Sequence, residues 1–470
     1  MREAEILYDA DMLSANSESM PPTSQSPTQH LSMLSLTALV VAGMIGSGIY
    51  TTTGYALADL QSAEVVLLAW CVAGMIAICG AISYGELASR VLESGGEYLY
   101  LTKFVHPLAG FLAGWVSALA GFTAAAALAA VTFEKYAIPE DLAAQWLPPG
   151  SWAVGLVVLL TTFHAVGIRT GTISQNLVVI VKLSALVGLI AWVFWLWPNW
   201  FVNQQSAASQ AASLNQTDMS LVSFSWLAFA TSTMWISFSF TGFNSAIYVA
   251  EESATGAVGI RRSMIVGTIL VTVLHLVLNV IFLYAADPVA TTGQSNIAVL
   301  CVEGLGSEFL PRLLRIAICL GLASSISSML MMGPRVYRKM ADDGVFPAAL
   351  VAADVHFRMA IVVQGTAIVV VVLMAGLQDL LTYLSMTLSL CSAGTVGTIL
   401  FCRKDQDGQM FDKPPIGIRS ATWIYFVASV AIAGLSVYDN PRKAVGTAVT
   451  VVTGIVIFQF LKIGRPDSDL

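Results

Sequence analysis

Six residues, Gly43-Met44-Ile45-Gly46-Ser47-Gly48, interrupt an otherwise apolar run from Leu34 to Leu57. The run is long enough to cross a bilayer, which takes about 20 residues of helix, but its glycine-rich middle does not hold a helix well. Unwinding at membrane depth frees backbone N–H and C=O groups, and these are tolerated only where they face protein or a polar cavity. The N–H groups of Gly46, Ser47 and Gly48 would then start a second half-helix at the positive end of its dipole, which is a site for a carboxylate. A second interruption, Phe238-Ser239-Phe240-Thr241-Gly242-Phe243-Asn244, falls inside the sixth apolar segment. Carbonyls of the half-helix ending near Phe238 and Ser239 present partial negative charge, suited to an ammonium. A molecule that carries both groups a few ångströms apart is an α-amino acid. The competing reading, close helix packing through small residues, explains one break more readily than two at matching places.

Lys182 is the remaining candidate, about ten residues into the fifth apolar segment. A charge there costs about 2.5–3.5 kcal/mol on insertion scales and is a functional hypothesis by default; the alternative is a stem reaching back to the interface, over roughly 15 Å of helix. His164, His275 and Asn279 are isolated and read as helix–helix hydrogen bonds. Glu86, Glu251 and Glu252 lie at helix ends and read as partners of basic loops. Cys71, Cys79, Cys301, Cys319, Cys391 and Cys402 have no metal-ligand spacing and read as small apolar packing residues. No catalytic residue, metal or cofactor is therefore expected. No metalloprotease, nucleophile-elbow or nucleotide-binding motif occurs in the chain, which argues against a membrane enzyme and an ATP-driven pump.

The elements that hold these residues follow from composition. The chain is 56% hydrophobic and 11% charged, with a mean hydropathy of +0.76, against about 25% charged in soluble domains. Apolar runs fall at 34–57, 64–88, 108–131, 151–167, 173–197, 222–250, 264–285, 313–333, 360–375, 379–401, 421–437 and 445–462, which makes twelve spans. With a cytoplasmic N-terminus, sixteen Lys and Arg side chains collect on the inner face and five on the outer, leaving Lys182 inside a span. Both termini are thus expected in the cytoplasm, and one missed helix would scramble the sorting. The net charge of −7 sums two aqueous faces and gives no case for nucleic acid; lipid and a small substrate are the expected partners. Residues 1–30 read as a disordered tail, not a signal peptide. Residues 31–197 form a first five-helix repeat, 198–221 an extracellular linker, 222–401 a second repeat, and 402–470 two further helices, read as packing or oligomer surface, with a tail. The fold class is therefore all-α and polytopic, with twelve transmembrane helices in a 5+5 inverted repeat and discontinuous helices one and six.

Gly43-Met44-Ile45-Gly46-Ser47-Gly48-Ile49-Tyr50 resembles the first-helix motif of the amino acid–polyamine–organocation superfamily of permeases. Gly85-Glu86-Leu87-Ala88 with Ser94-Gly95-Gly96-Glu97-Tyr98-Leu99-Tyr100-Leu101, Glu251-Glu252, and the stretch from Arg335 to Pro347 are similar to three more of its motifs, in order over about residues 31–400. The resemblance implies that Gly46, Ser47 and Gly48 hold the substrate carboxylate and that the carbonyls of Met44, Phe238 and Thr241 receive the α-amino group. Phe238 matches an aromatic gate of L-type transporters and arginine/agmatine antiporters. Asn244 matches an asparagine of the L-type branch where the agmatine antiporters carry a glutamate, which weighs toward neutral substrates. Lys182 matches a lysine that stands where sodium-coupled relatives bind sodium, and Ser324 and Ser325 could line that point.

The implied function is sodium-independent secondary transport of α-amino acids across the plasma or inner membrane, by exchange or proton symport. A cationic amino acid or polyamine antiporter of the same fold is the alternative. The sequence departs from the family in having Gly256 where a proline usually follows the Glu-Glu pair, which puts the inner loop geometry in doubt. Residues 134–150 lack the cysteine with which L-type light chains bind a heavy chain, so no disulfide-linked heavy chain is expected.

Overall fold

The structure, a computed structural model, describes residues 31–138, 147–166, 183–184, 186–192, 195, 224–284, 288–303, 309–342, 354–406 and 408–463. Their regular structure is helical apart from two isolated bridges. The first span is two half-helices, α1 (Met33–Met44) and α2 (Ser47–Leu60), meeting at 42°. Then come α3 (Ala63–Arg90), a short α4 (Glu97–Phe104), α5 (Pro107–Ala137) and α6 (Ser151–Ala165). After the linker, α7 (Trp226–Phe238) breaks into turns and resumes as a 3₁₀ segment, Ser245–Glu252. The rest are α8 (Gly256–Tyr284), α9 (Ile297–Glu303), α10 (Phe309–Asp342), α11 (Asp354–Met374), α12 (Leu377–Phe401), α13 (Ile416–Asp439) and α14 (Val445–Ile463).

Seven helices among the described residues are each long and apolar enough to cross a membrane, and the bent α1–α2 pair makes an eighth. α6 and the apolar part of α11 are shorter, α7 with its 3₁₀ continuation is the broken sixth span, and residues 186–192 are helical where the fifth was expected. Among the described residues, each of the twelve expected positions thus contains helix, the fifth in only part of its length. Serine caps start three of them: the hydroxyls of Ser32, Ser62 and Ser225 accept from the N–H groups of Ser35, Val65 and Ala228 at 3.2, 3.3 and 3.3 Å. Leu34, Val158, Val363, Val452 and Phe460 point outward, as expected where lipid is the solvent. Inside, small residues let helices approach. The stretch Ala124–Ala130 on α5 is no more than 5% exposed at any position, which its mostly alanine side chains permit.

Three features were not legible beforehand. The loop between the second and third spans holds α4. α5 is π-helical over Ser117–Ala124, where the Thr123 hydroxyl donates to the Ala118 carbonyl at 2.9 Å. The second half of the sixth span is 3₁₀ rather than α, with a kink at Val249. Gly256, at the position of the expected proline, takes φ +57° at the start of α8, and the loop before it is clipped to the chain ahead of α1. There the Leu31 N–H donates to the Glu252 carbonyl at 2.6 Å and the Ala254 N–H to the Leu31 carbonyl at 3.0 Å.

Candidate functional site

The two breaks lie against each other. A Cβ on Gly43 would stand 2.6 Å from Ser245 Oγ, and one on Gly48 would stand 2.5 Å from Ser239 Oγ and 2.8 Å from Ser239 Cα. Gly242 has φ +101°, and a Cβ there would meet the Gly43 carbonyl oxygen at 2.7 Å. Packing is therefore the role of these three glycines. Gly46 is different: no atom lies within 4 Å of where its Cβ would be. It is extended, with φ −128° and ψ −155°, and supplies no side-chain cap to α2. The leading N–H groups of α2 thus meet open space at membrane depth.

That space is a cavity of about 1000 Å³. Met44, Gly46, Ser47, Gly48, Phe238, Thr241, Asn244, Ser324 and Ser325 all line it, so every candidate residue within the described part of the chain reaches one volume. Lys182 lies outside the described residues; its neighbour Leu183 lines the cavity. The Phe238 carbonyl already accepts from the Thr241 N–H at 3.0 Å and the Thr241 hydroxyl at 2.7 Å, so both its lone pairs are engaged. An incoming ammonium would meet stronger acceptors at Met44, the last residue of α1, and at Thr241. The Ser325 hydroxyl donates to the Gly321 carbonyl at 3.0 Å within its own helix.

The cavity extends along α1 past Leu39 and Ser35 to Leu31, toward the N-terminal end of the first span. The other end is shut. The Gly293 N–H donates to the Gly54 carbonyl at 2.9 Å, Tyr136 donates to the Tyr50 carbonyl at 3.0 Å, and the rings of Tyr55 and Trp235 meet edge to face at 6.3 Å.

Several wall residues carried no expected role. Ser117, Gly121 and Phe122 come from the π-helical stretch of α5, a distortion often found at functional sites. Tyr425, Ser429, Ile432 and Ala433 come from α13, a helix for which the sequence suggested only packing or an oligomer surface. Glu97, at the start of α4, is 5% exposed and also reaches the cavity wall. Its Oε1 accepts from the Tyr84 hydroxyl, from Ser392 Oγ at 2.6 Å and from Asn244 Nδ2 at 3.4 Å, and its Oε2 from the Cys391 thiol at 3.4 Å. Gly96 before it needs φ +66° and lies under Tyr248, whose Cε1 would be 2.3 Å from an added Cβ. The sequence signal was an acidic residue in a glycine-glycine motif, read only as a signature.

Other readings resolve locally. His164 Nε2 and Ser327 Oγ are 2.8 Å apart, a helix–helix hydrogen bond as expected. Asn279 accepts from the Thr53 hydroxyl and donates to the His275 carbonyl at 2.8 Å. Glu86 pairs with Arg90 of its own helix at 3.2 Å. Glu251 binds not a basic loop but Ser94: its carboxylate accepts from the Ser94 N–H and its own N–H donates to Ser94 Oγ, each at 3.2 Å. All six cysteines are free thiols.

A family model described as amino acid permease matches residues 31–460. The human large neutral amino acids transporter small subunit 2 is 27% identical over 344 residues, 70% of this chain and 60% of that protein. The chain therefore spans about 60% of the length of this relative. The human Asc-type amino acid transporter 1 is 25% identical over 459 residues, 92% of this chain and 82% of that one. A solved structure of Mhp1, a nucleobase-cation-symport-1 family transporter in a closed conformation with bromovinylhydantoin bound, aligns with a TM-score of 0.51 over 95% of this chain and 97% of that chain, at 13% identity. Fold is what that likeness carries, and it agrees with twelve helices in an inverted repeat whose first and sixth spans are broken.

Proposed function

Since the chain belongs to the amino acid permease family, we propose that this integral membrane protein is a secondary carrier of α-amino acids working by alternating access. The observation that carries the reading is the uncapped N-terminus of α2, opening on a cavity beside Gly46. A helix N-terminus without a side-chain cap wants an anion, and the substrate carboxylate supplies it on the N–H groups of Gly46, Ser47 and Gly48. The α-ammonium takes the carbonyls of Met44 and Thr241, with that of Phe238 sharing its lone pairs. Asn244 rather than a carboxylate at the far side of the second break favours neutral side chains, in keeping with the name of the large neutral amino acids transporter among the relatives. With the N-terminus in the cytoplasm, the cavity is the inward-open state.

Counterflow in proteoliposomes against a panel of labelled amino acids tests the reading: neutral α-amino acids should exchange, and a chain that exchanges none of them is not such a carrier. Replacing sodium with choline should leave uptake unchanged, because Lys182 is proposed to put an ammonium where sodium would bind and like charges repel there. Lys182→Ala should slow uptake markedly; a strict sodium requirement, or an unimpaired variant, would remove Lys182 from the scheme.

Phe238 is 8% exposed and fronts the cavity, in keeping with a proposed gate. Phe238→Ala is expected to slow uptake at least about tenfold, which is about 1.4 kcal/mol. It should cost less stability than the about 3–5 kcal/mol of a packed core phenylalanine, because part of its surface borders space already empty. Uptake at the wild-type rate in the folded variant would make Phe238 a packing residue.

A further inference from the structure

We propose that Glu97 is the proton-binding site of this carrier, and that its protonation releases the second broken span. The proposal rests on the reading of the chain as an amino-acid carrier, and it names what drives that carrier. The groups donating to this carboxylate, which sits on α4, come from three elements: the Tyr84 hydroxyl from α3, Asn244 from the second break, and Ser392 and Cys391 from α12. The titratable groups facing it are Tyr84, Cys391, Tyr248 of the 3₁₀ segment and Tyr425 of α13. α5, which also packs on α4, keeps Glu134, Lys135 and Tyr136 at its opposite end, and His106 at its near end accepts from the Leu108 N–H at 3.1 Å. Among the described residues no lysine, arginine or histidine pairs with Glu97.

Neutral donors and the N-terminus of the short α4, of which Glu97 is the first residue, therefore do all that is done for this charge. Burial away from a cation works against it, and four donors work for it. The donors are unevenly spread: three converge on Oε1, whereas Oε2 holds only a thiol, a weak donor. Oε2 is the atom left to form an O–H bond, taking its proton from cavity water while the cavity faces one side and returning it to water when the carrier faces the other. No electrons move. A protonated carboxyl is a poorer acceptor at both oxygens, and of the three contacts crowded on Oε1 the one most readily given up is the longest, Asn244 at 3.4 Å. Asn244 ends the break formed around Gly242, and Tyr248, little more than one 3₁₀ turn later, rests on Gly96 beside Glu97. Proton gain is thus transmitted directly to the segment that fronts the substrate.

The test uses the full chain in proteoliposomes with an imposed inward proton gradient, beside a pH titration of carboxyl infrared absorption on the purified protein. Wild type should show gradient-stimulated uptake and a titrating carboxyl band. Glu97→Gln should lose the stimulation and that band, while Glu97→Asp should restore both. Tyr84→Phe removes a donor to the ionised form, so the acid activation of uptake should move to higher pH. The proposal is overturned if Glu97→Gln, or Tyr84→Phe should that variant not fold, keeps the wild-type gradient response and pH profile. It is equally overturned if the mutation abolishes only arginine competition, which would make Glu97 a receptor for cationic side chains, or if a titrating Glu97 accompanies uptake indifferent to the gradient. A Glu97 band that titrates in a chain that moves no amino acid would instead sink the carrier reading and leave the proton site standing.

Discussion

Gly46→Ala is expected to fold like the wild type and to bind substrate about tenfold or more weakly, a loss of about 1.4 kcal/mol. Nothing lies within 4 Å of its Cβ position, and its φ of −128° suits any residue, so neither clash nor strain opposes the alanine in the empty carrier. The added methyl instead occupies the space through which a carboxylate approaches the first N–H groups of α2. The same geometry predicts the ligand side of the experiment. Free α-amino acids should compete for uptake, whereas their amides and decarboxylated amines, which leave those N–H groups without an anion, should not. Thermal melting of the empty protein separates folding from binding. Wild-type affinity in Gly46→Ala, or equal competition by an amine, would place the carboxylate elsewhere and favour the polyamine alternative.

The spans were legible because in a membrane the hydropathy of a segment and its path are nearly the same fact. Even the short runs proved to belong to longer helices, 360–375 to the C-terminal part of α11 and 421–437 to the middle of α13. What escaped had no such signal. α4 is only eight residues, five of them aromatic or leucine side chains turned inward and one a buried acid, so its pattern is too short to separate from a loop. The π-helical stretch of α5 keeps the composition of an ordinary apolar helix, and its extra residue per turn shows only in where the hydrogen bonds go.

The site was legible in part for the same reason. Breaking residues mark where backbone is freed, so Gly46 and Ser47 and the turn from Phe238 to Asn244 could be placed from type alone. The division of labour among the glycines could not. Three of the four at the breaks serve the contact between them, and only the partner chain segment, remote in sequence, reveals it. Glu97 was missed because its neighbours Asn244, Cys391 and Ser392 lie 147 to 295 positions away. A carboxylate so remote in sequence from either break reads as a loop charge until the fold brings those donors to it.

Gly43→Ala and Gly48→Ala should both impair uptake and stability, by about 1–3 kcal/mol as overpacking does, yet they should differ in what rescues them. The Gly43 methyl meets the end of a side chain, Ser245 Oγ at 2.6 Å, with Ser245 Cβ at an ordinary 3.6 Å. Adding Ser245→Ala removes that oxygen, and although it also deletes the 2.6 Å hydrogen bond from Ser245 to the Gly242 carbonyl, the pair should recover most of the loss. The Gly48 methyl meets backbone, Ser239 Cα at 2.8 Å, which no substitution at Ser239 can withdraw. Ser239→Gly should therefore leave Gly48→Ala impaired. Melting temperatures and uptake for the two double-mutant cycles would show a coupling of about 0.5–3 kcal/mol for the first pair and little relief for the second. Rescue of Gly48→Ala, or none for Gly43→Ala, would mean that the two breaks do not hold each other at this spacing. That spacing matters to the proposed chemistry, because one small molecule can bridge the α2 N-terminus and the carbonyls of the second break only while the two are held this close.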